Sequence, residues 1–154
     1  MLRVVLYQPE IPPNTGNIIR LCANTGTTLH LIHPLGFEIS EARVKRAGLD
    51  YREMANVHEH PDLETFMRDT EPNRLFAVST RGRRNYAEVR YQSGDALLFG
   101  PETRGLPQSL LDSMPPAQVL RIPMRPGNRS LNLSNAVAVM VYEAWQQMNF
   151  EGGR

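Results

Sequence analysis

Hydrophobic and polar positions alternate along the chain in blocks that predict β-strands and α-helices in turn. Short apolar runs predict strands at residues 2–7, 28–32, 54–57, 74–79, 95–99 and 119–122. Apolar residues at helical spacing predict helices at residues 15–25, 41–47, 62–69, 107–113 and, most clearly, 133–148. This alternation predicts one α/β domain over residues 1–154, with a mostly parallel sheet flanked by helices on both faces.

The first predicted helix carries polar side chains at its start. Asn14 is expected to cap this helix after an extended turn at residues 11–13, and Asn17 follows within the first turn. Unpaired backbone N–H groups at a helix start attract anions, and Arg20 lies on the same helix. The segment is therefore a candidate site for a negatively charged group, although helix capping beside a surface arginine explains the same residues.

Two later segments each combine a strand end with a loop rich in glycine and proline. The first loop is Gly100-Pro101-Glu102-Thr103-Arg104-Gly105-Leu106-Pro107, and the second covers residues 123–135 after the strand that ends at Ile122. Open α/β sheets bind ligands at such strand ends, where glycine lets the backbone approach the ligand closely. Capping of the last helix explains one polar residue among Ser130, Asn132, Ser134 and Asn135, but hardly all four. We expect all three segments to form one site.

The sequence lacks the motifs of several other kinds of site. No G-x-G-x-x-G follows the first strand, so an ordinary dinucleotide-binding fingerprint is absent. Gly100 and Gly105 have the spacing of a P-loop, but Leu106-Pro107 replaces the Lys-Ser or Lys-Thr that nucleotide phosphates and magnesium need. The four histidines lack a further grouped ligand, so we expect no metal site.

Cysteine usage and hydropathy bear on the cellular location. Cys22 is the only cysteine, so neither a disulfide within the chain nor a four-cysteine zinc site can form. No apolar run approaches the roughly 20 residues of a membrane span, and the first residues read as a buried strand and not as a signal peptide. We expect a cytoplasmic protein without a membrane partner.

The basic residues are clustered, although the net charge is only +1. Of the 17 basic side chains only Lys45 is a lysine, and two clusters stand out: Arg43, Lys45, Arg46 and Arg52, then Arg81, Arg83, Arg84 and Arg90. The planar guanidinium group matches phosphate and stacks on bases, so the clusters indicate a local nucleic-acid surface. A GC-rich genome and an ordinary solvated face are the alternative explanations.

Three ordered motifs resemble those of the SpoU-type members of the SPOUT RNA methyltransferases. The motifs are Asn14-Thr15-Gly16-Asn17-Ile18-Ile19-Arg20, Phe99-Gly100-Pro101-Glu102-Thr103-Arg104-Gly105-Leu106, and Ile122-Pro123-Met124 with Ser130-Leu131-Asn132-Leu133-Ser134-Asn135-Ala136-Val137. Residues 4–17, 46–51 and 141–145 resemble more closely the small members that methylate the ribose of the wobble cytidine or uridine in leucine tRNAs. The likeness covers residues 1–150, and residues 81–85 are more basic than it leads us to expect.

The resemblance implies a fold, a cofactor and an assembly. In this family the C-terminal part of the chain passes through a loop and forms a trefoil knot. S-adenosyl-L-methionine is then held mainly by backbone groups, here at Val78, Gly100, Ile122 and Ser130. Relatives are homodimers in which the partner subunit completes the site.

The resemblance also implies roles for individual side chains. The expected catalytic set is Arg20, Asn14, Glu102 and Asn132. Family accounts give Arg20 the activation of the ribose hydroxyl, but a guanidinium hardly ever releases its proton. We therefore expect Arg20 to hold the adjacent phosphate and to stabilise negative charge on the ribose oxygen. The other three residues would orient the substrate or the catalytic loop.

The expected RNA surface grips the anticodon stem-loop of a tRNA. Its residues would be Lys45, Arg46, Arg83, Arg84, Arg129 and Tyr142. Tyr142 would stack on RNA or contact the partner subunit, with a place in the core as the alternative. Two other functions stay open: 2′-O-methylation of ribosomal RNA or of another tRNA site, and RNA binding without catalysis. Larger relatives often carry an added RNA-binding domain, which this sequence lacks.

Overall fold

A computed structural model of the chain describes residues 1–154, except for the side chains of Glu41 and Tyr51. Its sheet contains seven parallel strands in the order β3-β2-β1-β6-β4-β7-β5. The strands are β1 Arg3–Tyr7, β2 Thr28–Ile32, β3 Val57–His60, β4 Arg74–Val78, β5 Arg84–Asn85, β6 Asp95–Phe99 and β7 Val119–Arg121. The prediction of an α/β fold with a mostly parallel sheet is confirmed.

Six α-helices surround this sheet in the described chain. They are α1 Pro12–Thr25, α2 Glu41–Arg46, α3 Tyr51–Met54, α4 Leu63–Thr70, α5 Gln108–Ser113 and α6 Leu133–Gln147. Successive strand residues point to opposite faces, so Val4 packs with α1 and α6 whereas Val5 packs with α4 and α5. None of the described helices has the length and apolar character to cross a membrane.

The start of α1 differs from its prediction. The helix begins at Pro12 instead of after Asn14, and Ile11 precedes it without a side-chain cap. Proline suits a first helical position because its φ angle already fits and its missing N–H would have had no helical partner. Asn14 therefore lies inside the first turn, where its amide is available for contacts outside the helix.

Two further elements differ from the sequence-based prediction. Residues 54–57 do not form a strand, because Tyr51–Met54 is helix α3 and the strand is Val57–His60. The side chains and backbones of Asp50 and Glu53 cap α3 reciprocally, a pattern already visible as D-x-x-E in the sequence. Strand β5 was not predicted, because two residues carry no periodicity.

The C-terminal helix α6 confirms its predicted periodicity. Val137, Met140, Val141 and Ala144 are its buried residues, and the helix packs against α1. Asn132 caps it, since its Oδ1 accepts from the Ser134 N–H over 2.9 Å. One of the four polar residues at this helix start thus has the expected capping role.

Candidate functional site

A cavity of about 560 Å³ lies at the carboxyl ends of β4, β6 and β7, and we refer to it as the first cavity. The strand order changes direction beside β1, since the chain passes from β1 to β2 and β3 on one side and later returns to β6, β4 and β7 on the other. Ligands of parallel sheets bind at such a point. The structure brings all four predicted cofactor residues to this cavity: Val78, Gly100, Ile122 and Ser130.

Two glutamates lock the loop after β1 to the loop after β6. The carboxylate of Glu102 accepts from the Glu10 N–H over 2.9 Å and from the Ile11 N–H over 2.6 Å. In return, Glu10 Oε1 accepts from the Thr103 N–H over 3.0 Å and from its hydroxyl over 2.7 Å. These bonds from Thr103 lower the pKa of Glu10 below its usual value. The anion expected at the start of α1 is thus the protein's own Glu102.

A chain of side-chain hydrogen bonds joins the three predicted segments. Asn14 Nδ2 donates to Glu102 Oε2 over 3.4 Å, and Asn132 Nδ2 donates to Asn14 Oδ1 over 3.0 Å. Asn14 is buried, and all three side chains border the first cavity. Asn14, Glu102 and Asn132, three of the four predicted catalytic residues, therefore hold the loop after β6 and the starts of α1 and α6 together.

Gly100 lies where the loop after β6 folds back on itself. A Cβ atom at this position would stand 2.3 Å from the Leu106 nitrogen and 2.4 Å from the Gly105 carbonyl carbon. Gly105 itself adopts a positive φ of 68°, which favours glycine. A side chain at Gly100 would first clash with this loop's own backbone, and the shape of the cavity depends on that close contact.

Arg20 lies apart from the first cavity. Its Nε donates to Glu53 Oε1 over 3.2 Å, and its Nη2 donates to the Gly48 carbonyl. It lines a second cavity of about 400 Å³ together with Arg43 and Arg46. Within one subunit, the structure does not bring Arg20 together with the other predicted catalytic residues.

The predicted RNA residues fall into different environments. Lys45, Arg46 and Arg83 are exposed and bond to none of the side chains that the structure describes. Arg84 instead donates to the Ala117 carbonyl over 3.0 Å, so part of its hydrogen-bonding capacity is used inside the molecule. Arg129 is exposed at the edge of the first cavity.

Tyr142 is not a core residue, so that alternative is wrong. Its side chain is 44% exposed and packs edge to face on Trp145, with ring centroids 5.6 Å apart. Trp145 packs in the same way on Phe150, which is also 44% exposed. The end of α6 therefore presents an aromatic surface.

The roles of three residues of this region were not predicted from the sequence, which had placed Arg81 only in a basic cluster expected to bind RNA. Glu10 organises the loop after β6, Glu53 holds Arg20, and Arg81 donates to the Leu106 carbonyl over 2.6 Å. Only Glu53 carried a local signal, its place in the D-x-x-E pattern. The other two contacts join residues distant in sequence, which periodicity and spacing do not reveal.

Three of the four histidines, His30, His58 and His60, form a stack on β2 and β3 at one edge of the sheet. His30 Nδ1 and His60 Nε2 are 2.9 Å apart, and the His30 ring lies 5.1 Å from that of His58. Burial, reinforced by His60 and His58, lowers the pKa of His30 to about 3, so its ring is neutral. Among the side chains that the structure describes, no group of three or more His, Cys, Asp or Glu residues is placed to hold a metal ion.

Comparison with known proteins places this geometry among RNA methylases. Residues 1–142 match the model of the SpoU rRNA methylase family. A protein of Aeromonas hydrophila named tRNA (cytidine(34)-2'-O)-methyltransferase is 61% identical over 152 residues, which are 99% of this chain and 97% of that protein. The similarity therefore extends through every element that borders the first cavity.

Two solved structures share the fold. One, described as "Structural insights into the 2-OH methylation of C/U34 on tRNA", is 47% identical, has a TM-score of 0.86 and is matched over 97% of both chains. The other is an AdoMet-bound rRNA methyltransferase from Sinorhizobium meliloti with 27% identity and a TM-score of 0.79. The aligned region covers 96% of this chain and 56% of the Sinorhizobium meliloti chain.

Proposed function

This chain belongs to the SpoU rRNA methylase family, and from that premise we propose that it methylates the ribose 2′-hydroxyl of the wobble cytidine or uridine in tRNA. The observation that carries the proposal is the hydrogen-bonded chain Glu102–Asn14–Asn132, which joins the three family motifs around one cavity. The full-length relatives with 55–61% identity share the name tRNA (cytidine(34)-2'-O)-methyltransferase. Purified protein is expected to transfer a radiolabelled methyl group to tRNA. A parallel reaction with one of the named relatives is the positive control. Labelled tRNA in that control and none with this protein would contradict the proposal.

S-adenosyl-L-methionine is the proposed methyl donor, and the first cavity has the properties to hold it. Its volume of about 560 Å³ is that of a small-molecule site, and Leu106, Ile122 and Leu133 give it apolar walls. The folded-back loop at Gly100 exposes backbone groups because no side chain fits there. Val78, Gly100, Ile122 and Ser130 would hold the cofactor, which supplies an electrophilic methyl group.

Arg20 is proposed to act on the RNA side of the reaction. Glu53 and the Gly48 carbonyl hold its guanidinium in one orientation, while the side chain stays half exposed. A guanidinium keeps its proton at all ordinary pH values, so it serves as a charge and hydrogen-bond donor and not as a base. It would bind the phosphate beside the wobble ribose and stabilise negative charge on the 2′ oxygen.

Asn14, Glu102 and Asn132 are proposed to orient the catalytic loop. Their hydrogen bonds end on one another, on Glu10 and Ile11, and on the first turn of α6. Groups with these partners fix positions before the substrates arrive, which is how preorganised sites lower a barrier. Loss of Glu102 would free the N–H groups of Glu10 and Ile11 together.

A homodimer is proposed as the active form. Arg20 lies apart from the cofactor cavity of its own subunit, so a second copy that brings its Arg20 to that cavity would complete the site. Large apolar side chains are left exposed at Ile11, Leu131, Tyr142 and Phe150. Light scattering is expected to give twice the 17.4 kDa of one chain. A monomer that retains full activity would contradict the shared site.

Apart from Arg81, whose guanidinium bonds to the Leu106 carbonyl and to Gln108, the two basic clusters are proposed to bind the anticodon stem-loop. Arg46 and Arg83, one from each cluster, are exposed, and neither bonds to a described side chain. Replacing both by glutamine is expected to weaken tRNA binding and to reduce the slope of log K against log salt by about two, since each phosphate contact contributes roughly 0.9. Calorimetry should show unchanged affinity for S-adenosylhomocysteine; salt-insensitive tRNA binding by the wild type would contradict the proposal.

Finer parts of the proposal concern the substrate, the location and the chain path. We propose that the substrates are leucine tRNAs and that the protein acts in the cytoplasm. A trefoil knot is the proposed topology of the chain. Gly82 lies where the loop after β4 packs tightly on β7, because a Cβ there would stand 2.5 Å from the Leu120 carbonyl carbon. Methylation of ribosomal RNA, and RNA binding without turnover, are the two alternatives that an assay with separate RNA fractions distinguishes.

A further inference from the structure

The side chain of Arg81 joins two loops that border the first cavity. Arg81 follows β4 in a tight turn, where its N–H donates to Ser79 Oγ over 3.1 Å. Its guanidinium crosses to the loop after β6, where Nη2 donates to the Leu106 carbonyl over 2.6 Å. Nη1 donates to Gln108 Oε1 over 2.5 Å at the start of α5.

The hydrogen bonds of Arg81 hold the second half of the loop after β6, which Glu10 and Glu102 do not contact. Glu10 and Glu102 fix the segment at residues 102–103, whereas Arg81 fixes it at Leu106. Leu106 is buried, and its backbone lies directly against Gly100. The position of the Leu106 carbonyl therefore determines the shape of the Gly100 wall.

The partner of Arg81 is itself oriented. Gln108 Nε2 donates to Asp112 Oδ1 over 2.8 Å, so the amide presents its oxygen to the guanidinium. A planar group with several N–H donors can serve two acceptors that face it at a fixed angle, whereas an ammonium group cannot reproduce that fork. The residue type matches the double contact.

We propose that Arg81 is a positioning residue of the cofactor site, which holds the Gly105–Leu106 wall in its binding conformation and so sets the affinity for S-adenosyl-L-methionine. This assignment rests on the proposed function, because it takes the first cavity as the cofactor site. It also separates Arg81 from its sequence neighbour Arg83, which bonds to no described side chain and is left to bind RNA.

The first test measures the loop without any cofactor. In the unliganded Arg81→Met protein, the backbone amides of residues 99–107 are expected to exchange with deuterium faster than in the wild type. The methionine keeps much of the side chain's length and removes the donors. Arg68→Met is the matched control, because Arg68 is exposed on α4 and, among the side chains that the structure describes, pairs only with Asp69. An unchanged exchange rate at residues 99–107 in Arg81→Met would overturn the proposal.

The second test measures binding by calorimetry. Arg81→Met is expected to raise the dissociation constant for S-adenosylhomocysteine about tenfold, as the loss of charge-assisted hydrogen bonds implies, and to leave tRNA affinity unchanged. In turnover, KM for the cofactor should rise more than kcat falls. Arg81→Lys should recover part of the affinity. Gln108→Ala should add little to Arg81→Met, because Arg81→Met already removes the contact with Gln108.

The outcomes separate this proposal from the function beneath it. Wild-type affinity for S-adenosylhomocysteine in Arg81→Met, or weaker tRNA binding with that affinity intact, would overturn the role of Arg81 alone. A wild-type protein that binds no S-adenosylhomocysteine would overturn the proposed function, and the cofactor role of Arg81 with it.

Discussion

Replacing Arg20 by alanine is expected to remove nearly all methyl transfer and to leave cofactor binding intact. Loss of one donor that stabilises developing negative charge typically lowers kcat by about 100-fold to 1000-fold. Arg20 is proposed to contact the RNA and not the cofactor, and it does not line the first cavity of its own subunit, so its loss should not change the affinity for S-adenosylhomocysteine. Single-turnover rates with tRNA and calorimetry of the same sample measure both effects.

Arg20→Lys is the informative companion variant. Lysine keeps the positive charge, but its ammonium group cannot reproduce the planar fork that donates to Glu53 and to the Gly48 carbonyl. We expect a rate far below that of the wild type, which separates hydrogen-bond geometry from charge. Near wild-type turnover in Arg20→Ala would show that Arg20 has no role in the reaction.

Gly100→Ala is expected to damage both the fold and the cofactor site. The new Cβ would stand 2.3 Å from the Leu106 nitrogen, so the loop backbone has to move. Overpacking of this kind lowers the free energy of unfolding by about 1–3 kcal/mol. The dissociation constant for S-adenosylhomocysteine should rise by at least about tenfold, or about 1.4 kcal/mol. Thermal unfolding and calorimetry measure the two losses.

Gly16→Ala is the matched control for Gly100→Ala. A Cβ at Gly16 would meet the Ala47 Cβ at 4.0 Å, which is an ordinary contact. Alanine also favours a helix interior over glycine by roughly 1 kcal/mol, so this variant should be as stable as the wild type or more stable. Equal stability and equal cofactor affinity in Gly16→Ala and Gly100→Ala would refute the close contact at Gly100.

The strands with long apolar runs and the grouping of the loops were predictable because each depends on local sequence. An apolar run such as residues 95–99 becomes a buried strand, and its carboxyl end carries the glycine-rich loop. Carboxyl ends of parallel strands share one edge of the sheet, so the loops at Gly100 and Ile122 were expected on the same edge. The resemblance to a known family then supplied the cofactor, which periodicity does not indicate.

The position of Arg20 was less predictable, because one helix serves two sites. Asn14 and Arg20 differ by six positions, which is about 240° of rotation around an α-helix. Asn14 therefore faces Glu102 and the first cavity, whereas Arg20 faces Glu53 and the second. A motif that is continuous in sequence is divided between two surfaces in the fold.

The reciprocal hydrogen bonds by which Glu10 and Glu102 hold each other's loops could not be predicted from the sequence. Each side chain accepts from backbone N–H groups of the other loop, a contact that depends on β1 and β6 being neighbours. The strand order places β6 next to β1 although four strands intervene in the chain. Only the three-dimensional arrangement gives Glu102 its role in holding the start of α1.

Position-resolved mapping of ribose methylation in cellular tRNA tests the central claim most directly. Mass spectrometry of nuclease digests from a strain that lacks this gene is expected to show no 2′-O-methyl group at the wobble nucleotide of the substrate tRNAs. A wild-type copy of the gene should restore that methyl group, and a copy carrying Arg20→Ala should not. A wobble methyl group that persists in the deletion strain, or a loss confined to ribosomal RNA or another tRNA position, would contradict the claim.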